Sequence, residues 1–279
     1  MMETLFEEAG LSRWKLPPEL LALYGGPLGF AAPRVAANFV ASVDGVVSLR
    51  ADTESGAIIS GGNDADHFLM GLLRACAEVV LIGAGTFRAG AGDRWTPEAI
   101  WPAGAAAFAE LRRSLALPPQ PRLVVLTDSG DVDLSALQDP AALVTTARGE
   151  ARLRGRLPAH VQLLVAREER ASPETGGARS AEQTAQERVT PAELLRLIGA
   201  KGLLLTEGGP TLVAELAAAG LLDELFVTIS PKLFGRFAGD GRKSLLSGAD
   251  LHGAPLDLKS LRKSGSHLFL RYARAGRGQ

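Results

Sequence analysis

Two glycine turns carry the clearest chemistry in this chain. Glu207-Gly208-Gly209-Pro210-Thr211-Leu212 sets two glycines and a proline between an apolar run and a helical pattern. A proline at the first helical position leaves the amides of that turn pointing outward, and with the positive end of the helix dipole they suit a pyrophosphate. Gly83-Ala84-Gly85-Thr86 ends another apolar run. Its glycines let a phosphate or a ring approach the backbone, and the Thr86 hydroxyl can donate to a phosphate oxygen. It fits the start of a G-x-G-x-x-G fingerprint with Arg88 where the third glycine belongs, and the pattern predicts no helix directly after it. Taken alone, an ordinary strand-end turn accounts for it equally well.

Asn38, Ser42 and Asp44 form a third group. Alternation puts Asn38, Val40, Ser42 and Asp44 on one face of a strand that extends that far. Asp44-Gly45 alone is a turn signal, but an amide on a buried strand must find partners. Glu207, at a strand end, is either a solvated cap residue or a substrate-binding carboxylate. Asp44 and Glu207 are thus the candidate catalytic acids, able to hold or protonate a ligand in a shared cleft.

Elements to position these groups are legible. Apolar runs predict buried strands over 35–41, 78–82, 123–127, 202–206, 225–229 and 266–272, with weaker ones at 142–145 and 161–165. Helical spacing covers 63–77, with Asn63 as N-cap, and 105–115 and 211–219; Thr190-Pro191-Ala192-Glu193 starts another helix that runs to about 200. Residues 87–104, rich in Gly, Pro and Trp, read as an irregular loop covering a pocket, and 168–188 as a solvated, mobile insertion. Strands alternating with helices predict an α/β fold with a mostly parallel central sheet flanked by helices.

At 279 residues, with 46% apolar residues and a net charge of −1, the chain can bury a core as one large domain or two small ones and has no basic field for nucleic acid. No apolar stretch is long enough to span a membrane, and no leader pattern opens the chain, so a cytoplasmic location is expected. Four scattered histidines and one cysteine predict no metal site and no disulfide framework. Cys76, in an apolar helical pattern, reads as an inert buried thiol.

Several strings, in order, resemble the reductase domain of the riboflavin-biosynthesis deaminase/reductase. They are Asn38-Phe39-Val40-Ala41-Ser42-Val43-Asp44-Gly45, Ile59-Ser60-Gly61, Leu73-Arg74-Ala75, the Gly83 turn, the Glu207 turn, Leu222-Asp223-Glu224-Leu225 and Ile229-Ser230-Pro231-Lys232-Leu233-Phe234-Gly235. The resemblance covers residues 33–273, leaving an extension, 1–32, and a tail, 274–279. It implies a dihydrofolate reductase-like fold, a homodimer, NADPH as hydride donor and a small pyrimidine substrate. It places cofactor contacts at Ala41, Thr86, Gly90, Gly209, Pro210, Thr211 and Leu212, which the reading of the two turns extends to Gly83, Ala84, Gly85 and Gly208. Arg88 is the candidate partner for a 2′-phosphate. The resemblance places substrate contacts near Gly56, Ser60 and Glu207, to which the first strand adds Asn38 and Ser42. The extension is too short for a deaminase, which implies a stand-alone reductase. Asn38 replaces the usual lysine of such reductases, and the run Ala89-Gly90-Ala91-Gly92-Asp93-Arg94-Trp95 replaces an Asp-Asn-Pro segment. A dihydropterin-type reductase and a cofactor-binding protein without turnover are the two alternatives.

Overall fold

The computed structural model describes residues 1–49, 54–90, 92–138, 140–166, 188–237 and 239–276. The predicted insertion, apart from Arg188, lies outside the described residues.

In chain order the elements are β1 (Glu3–Glu7), α1 (Pro18–Tyr24), β2 (Arg34–Ser42), β3 (Val46–Ser48), α2 (Ser55–Ser60), α3 (Asp64–Cys76), β4 (Ala77–Gly83), α4 (Ala84–Ala89), α5 (Pro97–Ile100), α6 (Ala105–Ser114), β5 (Arg122–Leu126), β6 (Ala141–Thr145), α7 (Ala147–Leu153), β7 (Val161–Val165), α8 (Pro191–Ile198), β8 (Leu203–Thr206), α9 (Pro210–Ala218), β9 (Glu224–Ser230), β10 (Lys243–Ser244), β11 (Leu256–Ser264) and β12 (His267–Arg274). Ten strands form one sheet in the order β1-β11-β12-β9-β2-β8-β4-β5-β6-β7. Six of the nine neighbouring pairs are parallel, so the expected mostly parallel sheet is found. The antiparallel remainder is the β9-β12-β11-β1 side.

Both faces are covered. Ala36, Val80, Ile82 and Leu205 pack against Phe68, Leu69 and Leu72 of α3 and Phe108 and Leu111 of α6. On the other face Val79, Leu81, Val124 and Leu204 meet Leu194 and Ile198 of α8 and Leu212 and Leu216 of α9. Burial on both sides explains why these strands read as continuous apolar runs. The Asn63 side chain caps α3 by accepting from the Asp66 amide, and Thr190 caps α8.

α3, β4 and α4 follow one another with no residue between them. A buried arginine makes the first junction possible. Arg112 Nη1 donates to the carbonyls of Arg74, Ala75 and Ala77 at 3.1, 3.2 and 2.8 Å, which satisfies helix-end acceptors that would otherwise be orphaned. Cys76 beside it is buried, and burial pushes its thiol pKa up to about 12, so the inert reading holds.

The structure departs from the sequence reading in several places. Residues 1–32 are built into the fold: β1 pairs with β11, and Met2, Leu16, Leu20, Tyr24, Leu28 and Phe30 are core. β11 escaped notice because its inward positions include Ser260 and Arg262, whose polarity breaks the apolar alternation. Arg262 is buried because it pairs with Glu7, donates to the Tyr24 carbonyl and stacks 3.8 Å from the Tyr24 ring. Finally, the stretch expected to be irregular holds α4 and α5.

Candidate active site

The parallel strands β4, β8, β2 and β9 are neighbours, and their carboxyl ends share one edge of the sheet, where open α/β sheets bind ligands. Both glycine turns lie on that edge. Contrary to the sequence reading, a helix does start at the first turn: Gly83 is the N-cap of α4, and Gly90 closes that helix by donating to the Thr86 carbonyl. Gly209, at φ +78°, is the N-cap of α9, with Pro210 at its first turn. Neither helix start has a side-chain cap, unlike those of α3, α7 and α8. The first intrahelical bond of α9 runs from Val213 to Gly209, so the Thr211 and Leu212 amides precede the ladder.

The turns also touch. A Cβ on Gly208 would stand 2.5 Å from Thr86 Cγ2 and 2.6 Å from Thr86 Oγ1. Only glycine allows that approach, and it brings the Thr86 hydroxyl against the start of α9. Around Gly83 and Gly85 a Cβ would meet nothing within 4 Å. Together they make a cradle of main-chain donors and open glycine surface, which fits the diphosphate of a dinucleotide.

Next to this glycine half lies a half made of side chains. Ala37 is in register with Thr206, which sets Asn38 level with Glu207 on the α3 face. Asn38 is buried, and among the described residues its Oδ1 has no hydrogen-bond partner. Glu207 is not free. Arg74 Nε and Nη2 grip it at 2.9 and 2.6 Å, while Arg74 Nη1 donates to the carbonyls of Arg94 and Thr96, and its guanidinium lies 5.1 Å from the Trp95 ring. The Trp95 Nε1 is buried without a partner among the described residues.

Asp66, in the first turn of α3, is buried near Thr228 and Ser60. Burial pushes its carboxyl pKa above the ordinary Asp value of 3.8, against the opposing pull of the Thr228 and Ser60 hydroxyls and of His67 and His267. A carboxyl held above its ordinary range keeps its proton to higher pH than a solvated one, as a proton donor requires.

The residues read from sequence divide accordingly. Gly83, Ala84, Gly85, Thr86, Gly208, Gly209, Pro210, Thr211 and Leu212 converge in the cradle. Arg88 is exposed and donates to the Asp131 carbonyl at 3.1 Å. Asn38 and Ser60 line the side-chain half, and Gly56, on α2, leaves open space where a Cβ would stand. Ala41 turns its methyl into the core with Phe39, Val47 and Val213, leaving only its peptide for a ligand.

Asp44 does not continue the alternation, because β2 ends at Ser42. Its carboxylate accepts from Ser42 Oγ at 2.6 Å and from the Gly235 amide at 2.6 Å, and these bonds hold its pKa below the ordinary range. Ser42 Oγ also accepts from the Val46 amide. Asp44 and Ser42 therefore staple the 230–235 segment to the rim, and an anion so held is a poor proton donor. Glu207 is committed to the Arg74 guanidinium.

Asp66, Arg74, Trp95 and Thr228 are the site groups that sequence reasoning missed. For Asp66 a signal was present: it lies three and seven positions before Leu69 and Leu73, on the buried stripe rather than the solvated face.

A sequence model of the RibD C-terminal domain matches residues 33–270. No functionally curated protein matches the chain. Among solved structures it is similar to a pyrimidine reductase-like protein of Corynebacterium diphtheriae, with 21% identity over 87% of this chain and 92% of that one, at a TM-score of 0.59. RibD of Acinetobacter baumannii follows with 18% identity and a TM-score of 0.55, over 88% of this chain but 58% of RibD. The riboflavin biosynthesis reductase Rib7 of Saccharomyces cerevisiae shows 16% identity and a TM-score of 0.54, over 92% of this chain and 99% of that one. At such identities the likeness is one of fold.

Proposed function

This chain belongs to the RibD C-terminal domain family, and from that premise we propose that it is an NADPH-dependent reductase of a 5-amino-6-(phosphoribosylamino)uracil-like pyrimidine. The observation that carries the reading is the contact of Thr86 with Gly208, which fuses two uncapped helix starts into one anion cradle on the strand edge that also carries Asn38 and Glu207. When bound, the cofactor supplies hydride to an electrophilic carbon of the substrate.

The chain's own residues do the rest. Thr86 and the amides of Gly209, Thr211 and Leu212 hold the diphosphate, Gly83, Ala84, Gly85 and Gly90 shape the surface beside it, and Arg88 meets the 2′-phosphate. Asn38 Oδ1 accepts from a ring N–H or amino group of the substrate, a donor that it lacks within the described residues. The Asp66 carboxyl, its pKa raised by burial with the Ser60 and Thr228 hydroxyls near it, is the group that would give a proton to the reduced substrate. The Arg74–Glu207 pair is the fixed polar wall of the pocket, and Gly56 leaves room above α2.

Assembly as a homodimer is part of the proposal. Val43, Ile58, Leu233 and Phe237, 62%, 45%, 77% and 71% exposed, lie on segments that Lys232 ties together through its carbonyl to Val43 and its ammonium to Ile58. Among the described residues no helix is long and apolar enough to cross a membrane, in keeping with a cytoplasmic enzyme. NADPH oxidation with the pyrimidine compound and, separately, with a dihydropterin tests the reading. Turnover of the first alone is expected; turnover of the second alone reassigns the substrate, and tight NADPH binding with neither removes the enzyme assignment.

A further inference from the structure

His267, the first residue of β12, is far in sequence from every other site group, yet it bonds to two segments that carry them. Its Nε2 lies 3.1 Å from the Ser60 carbonyl and its Nδ1 lies 3.2 Å from Asn63 Nδ2. The surrounding bonds assign the protons. Asn63 Oδ1 is committed to the Asp66 amide at 3.0 Å as the cap of α3, so Asn63 must present its Nδ2 donors to the histidine. His267 Nδ1 therefore accepts, the ring proton sits on Nε2, and that proton serves the Ser60 carbonyl, which can only accept.

The result is a closed chain, Ser60 to His267 to Asn63 to the Asp66 amide. The Ser60 hydroxyl adds a second tie by accepting from the Asn63 amide at 3.3 Å. The neighbouring carbonyls of α2 are held from the same side, Ile59 by Ser230 Oγ and Ile58 by Lys232 Nζ, both at 2.6 Å. Among the described residues outside 55–76 that make these clamps, only His267 bonds to both the end of α2 and the cap of α3.

We propose that His267 is a positioning residue, which sets the Ser60 hydroxyl and the Asp66 carboxyl at a fixed separation by bridging the end of α2 to the cap of α3. This rests on the reading of Asp66 as the proton donor and of Ser60 as a hydroxyl beside its carboxyl. The histidine acts through Asn63 and Ser60 and needs no contact with substrate.

The test compares wild type, His267→Gln and His267→Phe as whole proteins. Imidazole nitrogen NMR at neutral pH reads the tautomer, and amide hydrogen exchange reads the first turn of α3. Steady-state reduction of the pyrimidine compound gives kcat and KM. We expect the Nε2–H tautomer, Asp66 amide exchange faster by about tenfold in His267→Phe, and kcat lower by about tenfold with the NADPH KM unchanged. Gln, which keeps a donor for the Ser60 carbonyl, should recover most of both losses. An Nδ1–H tautomer, or His267→Phe with wild-type exchange and kcat, overturns the proposal. Absence of wild-type turnover overturns the functional reading instead, and tautomer and exchange then decide the role of His267 alone.

Discussion

In the glycine half of the cleft the groups offered to a ligand are main-chain amides, contributed by the starts of α4 and α9. In the other half they are side chains, Asn38, Ser60, Asp66 and Thr228, drawn from β2, α2, α3 and β9. Main-chain donors need only a local backbone shape, which Gly208, Gly209 and Pro210 dictate over three consecutive residues. Side-chain groups need four elements to arrive together, each burying a polar atom that must be matched. A rigid, general anion site thus adjoins a pocket whose chemistry depends on distant parts of the chain.

The largest expected effect strikes the wall between the halves. Glu207→Gln leaves the Arg74 guanidinium buried without its counter-ion and should cost about 3–5 kcal/mol of unfolding free energy. Replacing both, as Arg74→Met with Glu207→Leu, should recover most of that loss; chemical denaturation of the three variants checks it. If Glu207→Gln unfolds like wild type, the wall is not what separates the two halves.

Asp66→Asn should lower kcat by about a hundredfold or more and leave the NADPH dissociation constant within about twofold, measured by steady-state kinetics and fluorescence titration. Loss of cofactor binding instead would erase the distinction between halves. Gly208→Ala is the mirror experiment. Its methyl meets Thr86, so NADPH affinity should fall by about 1–3 kcal/mol, and pairing it with Thr86→Gly should relieve the clash without restoring the lost hydroxyl.

The smallest effect is a pH dependence. Because the folded state holds Asp66 at a raised pKa, it binds the proton more tightly than the unfolded chain does. The stabilisation is complete below the ordinary Asp value of 3.8 and is lost as pH rises through the raised pKa. Unfolding free energies between about pH 4 and 7 should therefore fall less with pH in Asp66→Asn than in wild type. Parallel profiles would remove the raised Asp66 carboxyl from the side-chain half.

The same contrast explains what could be read from sequence. The strands β2, β4, β5, β8 and β9 announce themselves because both their faces are covered by apolar helices, and the family could be recognised from strings that span turns. The glycine half was legible for the reason given above: its information is contiguous. By position Asp66 is one of two acids in the first turn of a helix, where such residues are ordinary, whereas Asp44 read as a cleft carboxylate. Only the end of β2 at Ser42 and the approach of Thr228 to α3 exchange their roles. β1 and β11 were hidden because their pairing depends on the Glu7–Arg262 contact across most of the chain.

The unbroken passage from α3 through β4 into α4 gives the two halves a common mechanical part. α3 folds back over β4, so Asp66 in its first turn and Gly83 and Thr86 beyond the strand belong to one hairpin-like unit, and Arg112 clamps the reversal between helix and strand. With no loop to absorb slack, the offset between the start of the helix and the end of the strand is set by the residue count of that unit. One residue added between Cys76 and Ala77 would rotate and advance the helix against the strand, detuning the spacing while every site side chain stays intact.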